Sequence, residues 1–147
     1  MPKGAPRFIV SGCPMALPNW KLPHIIETSG AVIVGDESCV GERSTRHIVE
    51  GTSMDNIVDR YFQIDCAVFT PNPSRLDYIQ KMVKEYRADG VIHYSIRCCQ
   101  PYTHEAMSYE RALEGVDIPT LALETDYSQE DNGQLKTRVE AFIERVN

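Results

Sequence analysis

The stretch Gly90–Gln100, GVIHYSIRCCQ, decides the fold. Its apolar part, Val91 to Ile96, is short and rich in β-branched and aromatic residues, as a strand buried within a parallel sheet is. Asp89-Gly90 turns the chain into it, and Cys98 and Cys99 fall at its carboxyl end. In an open α/β sheet, ligands bind in the crevice outside the carboxyl ends of the strands. What matters next is whether other segments bring suitable groups to the same edge.

Just upstream, Asn72-Pro73 is a helix start, with Asn72 as cap and proline in the first turn; Ser74 and Asp77 offer a capping box in a competing register. Leu76, Ile79, Met82, Val83 and Tyr86 mark one face of a helix that runs to about Ala88. Downstream, Tyr102–Glu114 reads as a helix that offers Met107, Tyr109 and Leu113 to the sheet. Thr120–Leu123 is a further strand, ending in Glu124-Thr125-Asp126-Tyr127. Asp131–Val146 is the last helix, with Leu135, Val139, Phe142, Ile143 and Val146 on its apolar face and Lys136 in register with Glu140 outside.

Toward the N-terminus, Arg7–Ser11 (RFIVS) is a strand stopped by Gly12-Cys13-Pro14. Asn19 to Ser29 is a helix disturbed at Pro23 and stopped by Gly30. Ala31–Gly35 is a second strand, followed by Asp36-Glu37-Ser38-Cys39. Gly41 to Ser53 reads as loop with a short helix, Met54–Phe62 as a helix, and Asp65–Thr70 as a minor strand or an extended connector. Met1–Pro6 reads as a linker, leaving one domain over 7–147. Strand and helix alternate about four times, which implies a parallel sheet with right-handed crossovers. The expected architecture is a flavodoxin-like three-layer α/β sandwich on a four-stranded parallel sheet.

The 147 residues suit one domain, and 42% hydrophobic with 24% charged residues is a soluble globular composition. A net charge of −6 without a basic block argues against nucleic acid as a partner. No apolar run approaches the ~20 residues of a membrane helix, and MPKGAPRF lacks the apolar core of a signal peptide. The expectation is a cytoplasmic protein, in which five cysteines are not a disulfide framework.

In the expected architecture the strand ends share one edge. The first delivers Cys13, the second Cys39, the third Cys98 and Cys99, and the fourth Glu124, Asp126 and Tyr127. Cys66 follows no clear strand and reads as packing. Thiolates suit zinc, copper or iron–sulfur centres. The C-x₂₋₄-C pairs of zinc knuckles are absent, and adjacent cysteines are poor ligands for one small ion. Ligands drawn singly from separate strand ends better suit a [4Fe–4S] cluster, with Gly12 and Gly41 letting the backbone approach its sulfides. A nucleophilic or redox thiol with His47, His93 or His104 as base is the alternative chemistry. His93 lies within a buried strand and reads as a core residue. His104 begins a helix near the edge and is the better polar contact, while His24 and His47 read as ordinary helix or surface residues. Asp126 has a structural reading, as a turn or a cap for the last helix, beside one as a positioning group. The same two readings apply to Glu124, and Tyr127 reads as a rim aromatic. No phosphate loop or dinucleotide loop is present.

The segments SGCPM (Ser11–Met15), GDESC (Gly35–Cys39), DGVIHYSIRCCQPY (Asp89–Tyr102) and IPTLALETDYSQEDNGQLKTRVEAFIE (Ile118–Glu144) together resemble the 2-hydroxyacyl-CoA dehydratase and benzoyl-CoA reductase family. The resemblance runs from about Arg7 onward and covers the C-terminal domain of larger subunits, as a fragment or the product of a split gene. It implies flavodoxin-like domains with an iron–sulfur cluster, [4Fe–4S] or larger, near a domain interface. Matched by motif, Cys13, Cys39 and Cys99 are the implied iron ligands, Cys98 is supernumerary, and Cys66 is a second-tier ligand. The implied partners are an N-terminal domain or second subunit, an ATP-dependent activator that delivers a low-potential electron, and an acyl-CoA or small-molecule substrate. Dehydratases of the family use that electron to form a ketyl radical and expel a hydroxyl; its double-cubane-cluster branch reduces small molecules. His104, Glu124, Asp126 and Tyr127 are the substrate-side candidates. A lone half of the crevice is expected to be inactive. A flavodoxin-like interaction or scaffold domain without chemistry is the competing reading.

Overall fold

The computed structural model describes residues 4–15, 17–69 and 71–147. Four strands, β1 (Arg7–Gly12), β2 (Val32–Ser38), β3 (Gly90–Ile96) and β4 (Thr120–Thr125), form one sheet in the order β2-β1-β3-β4. All three pairings are parallel. Five α-helices connect and cover them: α1 (Lys21–Thr28), α2 (Met54–Phe62), α3 (Pro73–Tyr86), α4 (Gln100–Glu114) and α5 (Asn132–Val146). The flavodoxin-like α/β sandwich read from the sequence is the observed fold. The chain leaves β1 toward β2, then crosses back over β1 to reach β3, so the switch in strand order falls between β1 and β3.

Alternation along the strands divides the interior in two. On one face Phe8, Val10, Ile92, Tyr94 and Leu123 meet Leu22, Ile25 and Ile26 of α1 and Leu135, Val139 and Phe142 of α5. On the other, Ile9 and Val91 meet Ile79 and Met82 of α3 and Tyr109 and Leu113 of α4. The sheet register contains one irregularity, in which Phe8 pairs with Ile33 but Ile9 pairs with Gly35. The extra residue in β2 is a bulge, and a one-residue slip exchanges the two faces beyond it. It brings Glu37 opposite Ser11, which is itself opposite His93 of β3.

Several local expectations change. β2 and β4 extend to Ser38 and Thr125, so Glu37 and Glu124 belong to strands rather than to the loops after them. Pro23 does not disturb α1; it is the third helical residue, where the N–H has no intrahelical acceptor. Residues 65–69 contain no strand, and Thr70 lies outside the described residues, as do three residues of the linker. Asn72 makes no cap: its Nδ2 donates to the Cys66 carbonyl at 3.1 Å, and Ser74 donates to Asp65 at 2.5 Å instead of forming a box with Asp77. Met107 faces outward, and Tyr102 takes the buried place near the start of α4. Asp131 rather than Asp126 precedes α5, and its carboxylate binds Lys21 at 2.8 Å and Thr125 at 2.5 Å, tying α1 to the loop after β4. No residue of α2 is buried; Met54, Ile57, Val58, Tyr61 and Phe62 are all exposed. Among the described residues no helix is long and apolar enough to cross a membrane.

Candidate functional site

Three cysteines from three strand ends meet at the carboxyl edge. Cys13 is buried immediately after β1, and half-buried Cys39 and Cys99 pack on the same apolar cluster. Cys99 and Cys39 both lie close enough to the Cys13 thiol to perturb its titration. Burial pushes its pKa up to about 12; the Ile96 N–H, 3.5 Å from the sulfur, partly offsets this, and the neighbouring Cys99 and Cys39 add to the rise. Cys13 is thus a protonated thiol at neutral pH unless a cation takes the proton's place, which rules against an exposed, activated nucleophile at this position. The three sulfurs form a soft donor set suited to a metal-bearing group. Among the described residues no three His, Cys, Asp or Glu side chains are spaced to hold a single metal ion.

Cys98 and Cys99 part company in a tight turn. The Cys99 N–H donates to the Ile96 carbonyl at 2.9 Å, and Cys98 takes a left-handed φ of 70° as the third turn residue. The turn leaves Cys98 exposed while Cys99 returns to the cluster at the start of α4. Cys66 lies half-buried in the connector before α3, with its carbonyl held by Asn72. Gly12 and Gly41 serve the protein's own backbone. A Cβ on Gly12, at φ 121°, would lie 2.1 Å from the Tyr94 carbonyl oxygen, and one on Gly41 would lie 2.3 Å from that of Asp36.

Below the thiols lies a buried ionic network that sequence reasoning missed. Glu37, Arg43 and Arg75 have fully buried side chains. Arg43, in a short 3₁₀ turn after β2, grips the Glu37 carboxylate with two hydrogen bonds of 2.7 Å and donates to its carbonyl at 3.0 Å. Ser11 donates to Glu37 at 2.7 Å and accepts from Arg75 at 2.9 Å and from Tyr109 at 3.0 Å. Arg75 also donates to Glu37 at 3.1 Å and to Glu105. Burial alone would raise the Glu37 pKa, but Arg75, Arg43 and Ser11 outweigh it and hold the carboxylate below its ordinary range. For Glu105 burial wins over Arg75 and the pKa is raised. The network reaches the thiols through Tyr102, whose hydroxyl lies 3.0 Å from Arg43 Nη1 and 3.2 Å from Cys39 Sγ. Ser11 and His93 were its visible signal: two polar residues inside otherwise apolar strands, paired across the sheet.

The histidines and acids read from the sequence lie outside this cluster of thiols. His93 is buried, and its Nε2 meets the Tyr102 carbonyl at 3.2 Å, so the proton sits on Nε2 because a carbonyl only accepts. His104 is exposed and turns back to the Gln100 carbonyl of its own helix at 2.8 Å. Asp126 forms a turn, accepting from the Ser128 N–H at 2.8 Å and pairing with exposed Arg97. Glu124 and Tyr127 are exposed on the β4 side. A cavity of about 400 Å³ lined by Arg46, His47, Asn56 and Arg60 includes none of the cysteines. An open rim becomes a cavity only when a second surface closes it.

Fold and site together define a flavodoxin-like α/β domain with a thiol cluster at its topological switch point. The chain matches the model of the 2-hydroxyglutaryl-CoA dehydratase D-component over residues 1–146, and it belongs to that family. It is 39% identical over 144 residues to YjiM of Escherichia coli (strain K12), named as a dehydratase subunit, covering 96% of this chain and 38% of that protein. It is 29% identical over 128 residues to the (R)-phenyllactyl-CoA dehydratase beta subunit of Clostridium sporogenes, covering 85% of this chain and 34% of the relative. A shorter match, 32% over 73 residues, covers 50% of this chain and 19% of the beta subunit of (R)-2-hydroxyglutaryl-CoA dehydratase from Acidaminococcus fermentans. The two longer matches therefore span little more than a third of the relatives' own length, and the third about a fifth.

Proposed function

We propose that this chain is the iron–sulfur domain of a 2-hydroxyacyl-CoA dehydratase subunit, with Cys13, Cys39 and Cys99 as iron ligands. The observation that carries the reading is the meeting of these three thiols, each from a different strand end, at the switch between β1 and β3. The donor set fits such a group: three sulfurs at one rim, one backbone N–H aimed at Cys13, and side-chain donors aimed at Cys39. When bound, an iron–sulfur cluster supplies one-electron chemistry at low potential.

The residues of this chain have three tasks in that reading. The thiols release their protons on ligation. The apolar cluster around them limits water on the protein side. The rest of the subunit, or a second one, closes the open side and brings an acyl-CoA to it, with an ATP-dependent activator as the electron source. The exposed apolar residues of α2 favour such a cover. The names of the matched relatives favour dehydration over small-molecule reduction.

The test is the complete subunit, produced anaerobically with iron and sulfide. Iron and sulfide should copurify with it, and Cys13→Ala, Cys39→Ala and Cys99→Ala should each lose most of both. A wild-type subunit without iron, or variants that keep it, would overturn the reading in favour of a scaffold domain.

A further inference from the structure

We propose that Tyr102 and Arg43 are positioning residues that set the reduction potential of the centre ligated by Cys39, resting on the reading that Cys39 is an iron ligand. Tyr102 stands in the first turn of α4 and is buried at the rim. Its hydroxyl is 3.2 Å from Cys39 Sγ and 3.0 Å from Arg43 Nη1, which also lies 3.5 Å from the same sulfur. An arginine N–H can only donate, so the phenol oxygen accepts from Arg43. A cysteine ligating iron has given up its proton, so the phenol must then be the donor to sulfur.

This donor pair is fixed from behind. Two hydrogen bonds of 2.7 Å to the Glu37 carboxylate and one of 3.0 Å to its carbonyl hold the Arg43 guanidinium. Arg75 and Ser11 hold Glu37 in turn. The ligands are therefore unequal: Cys39 faces two side-chain donors, whereas Cys13 faces the Ile96 N–H. Adding an electron makes the ligand sulfurs more negative, and donors to sulfur strengthen as it does. Donors at Cys39 thus favour the reduced state and raise the potential.

The experiment is a redox titration of the complete, iron-loaded subunit with dithionite, followed by visible absorbance and electron paramagnetic resonance. One electron passes from dithionite to the centre, and no bond to Cys39 is made or broken. Tyr102→Phe should keep its iron and sulfide and titrate with a reduction equilibrium constant about tenfold smaller, a midpoint about 59 mV lower for one electron. Arg43→Lys keeps the charge beside Glu37 and should lower the midpoint less. An unchanged midpoint in iron-replete Tyr102→Phe overturns the relay and leaves the iron–sulfur reading intact. A wild-type subunit without iron overturns that reading itself. Should Tyr102→Phe lose its iron, 3-fluorotyrosine in place of Tyr102 decides: this stronger donor of nearly the same shape should raise the midpoint, and no rise overturns the relay.

Discussion

The two faces of the sheet solve the same packing problem differently. The face under α1 and α5 is apolar up to one ion pair at the rim, Lys21 with Asp131: Phe8, Val10, Ile92, Tyr94 and Leu123 stack against aliphatic residues and Phe142, whose ring lies 5.0 Å from that of Phe8. The face under α3 and α4 is apolar only in its lower half, at Ile9 and Val91. One layer higher, Glu37, Ser11 and His93 run in a row across β2, β1 and β3, with Arg75 and Tyr109 as their cover. Buried ions gain little stability over well-packed apolar groups, yet removing one partner is severe. An ionic network that runs beneath three strands on one face therefore points to a task at the rim above it. That layer ends at Tyr102 and Cys39.

Breaking the charged layer should have the largest effect. Glu37→Gln leaves two guanidinium groups, Arg43 and Arg75, buried with only Glu105 as an anionic neighbour. The expected loss is about 3–5 kcal/mol in urea unfolding. A loss under about 1 kcal/mol would mean that water reaches the layer and that the two faces are less different than their burial implies.

His93 sharpens the contrast through pH. Burial, helped by the charge of Arg75, lowers its pKa to about 4 from an ordinary 6.5. Between these values the unfolded chain takes up a proton that the folded chain refuses. Stability therefore falls as pH drops from 6.5 to 4, by about 3 kcal/mol in all, and this contribution flattens below. Other groups titrate in that window, so the measurement is the difference between the wild type and His93→Gln, which keeps a donor for the Tyr102 carbonyl. Relative to the variant, the wild type should gain about 3 kcal/mol between pH 4 and pH 7.

The apolar half of this contrast was legible in the sequence and the charged half was not. Strands such as Val91–Ile96 and the face Leu135, Val139, Phe142 announce themselves by periodicity, and Cys13, Cys39 and Cys99 by their places after the first three strands. Arg43 sits in a polar stretch and Arg75 in the first turn of a helix, where an arginine ordinarily faces water. Their burial depends on the bulge in β2 that carries Glu37 to the face of Ser11, a register detail that no local pattern encodes. The orientation of His104, Glu124 and Tyr127 was hidden for a related reason. Proximity to a strand end in sequence says nothing of which way a side chain leaves the backbone, and all three point to solvent.

On the apolar face the response should be ordinary. Ile92→Val removes one methylene from a fully buried site beside Val10 and Leu121 and should lower stability by about 0.5–1.5 kcal/mol, with no dependence on pH between 4 and 7. A larger, pH-dependent loss would show that the two faces are coupled through β3.

The smallest effect lies where both faces end, in the turn after β3. Cys98 holds a left-handed φ of 70° with an exposed thiol, a conformation that a β-carbon resists and glycine adopts freely. Cys98→Gly should stabilise the fold by up to about 1 kcal/mol, because the strain relieved exceeds the extra chain entropy lost. It should leave the iron content of the complete subunit unchanged. Cys99→Gly should do the reverse on both counts, since its side chain packs with Cys13 and Cys39. The adjacent pair thus separates conformation from chemistry: the first cysteine is tolerated by the turn, and the second is what the turn delivers. Loss of iron in Cys98→Gly would reverse that order and make the strained, outward sulfur the one that the rim presents to its partner.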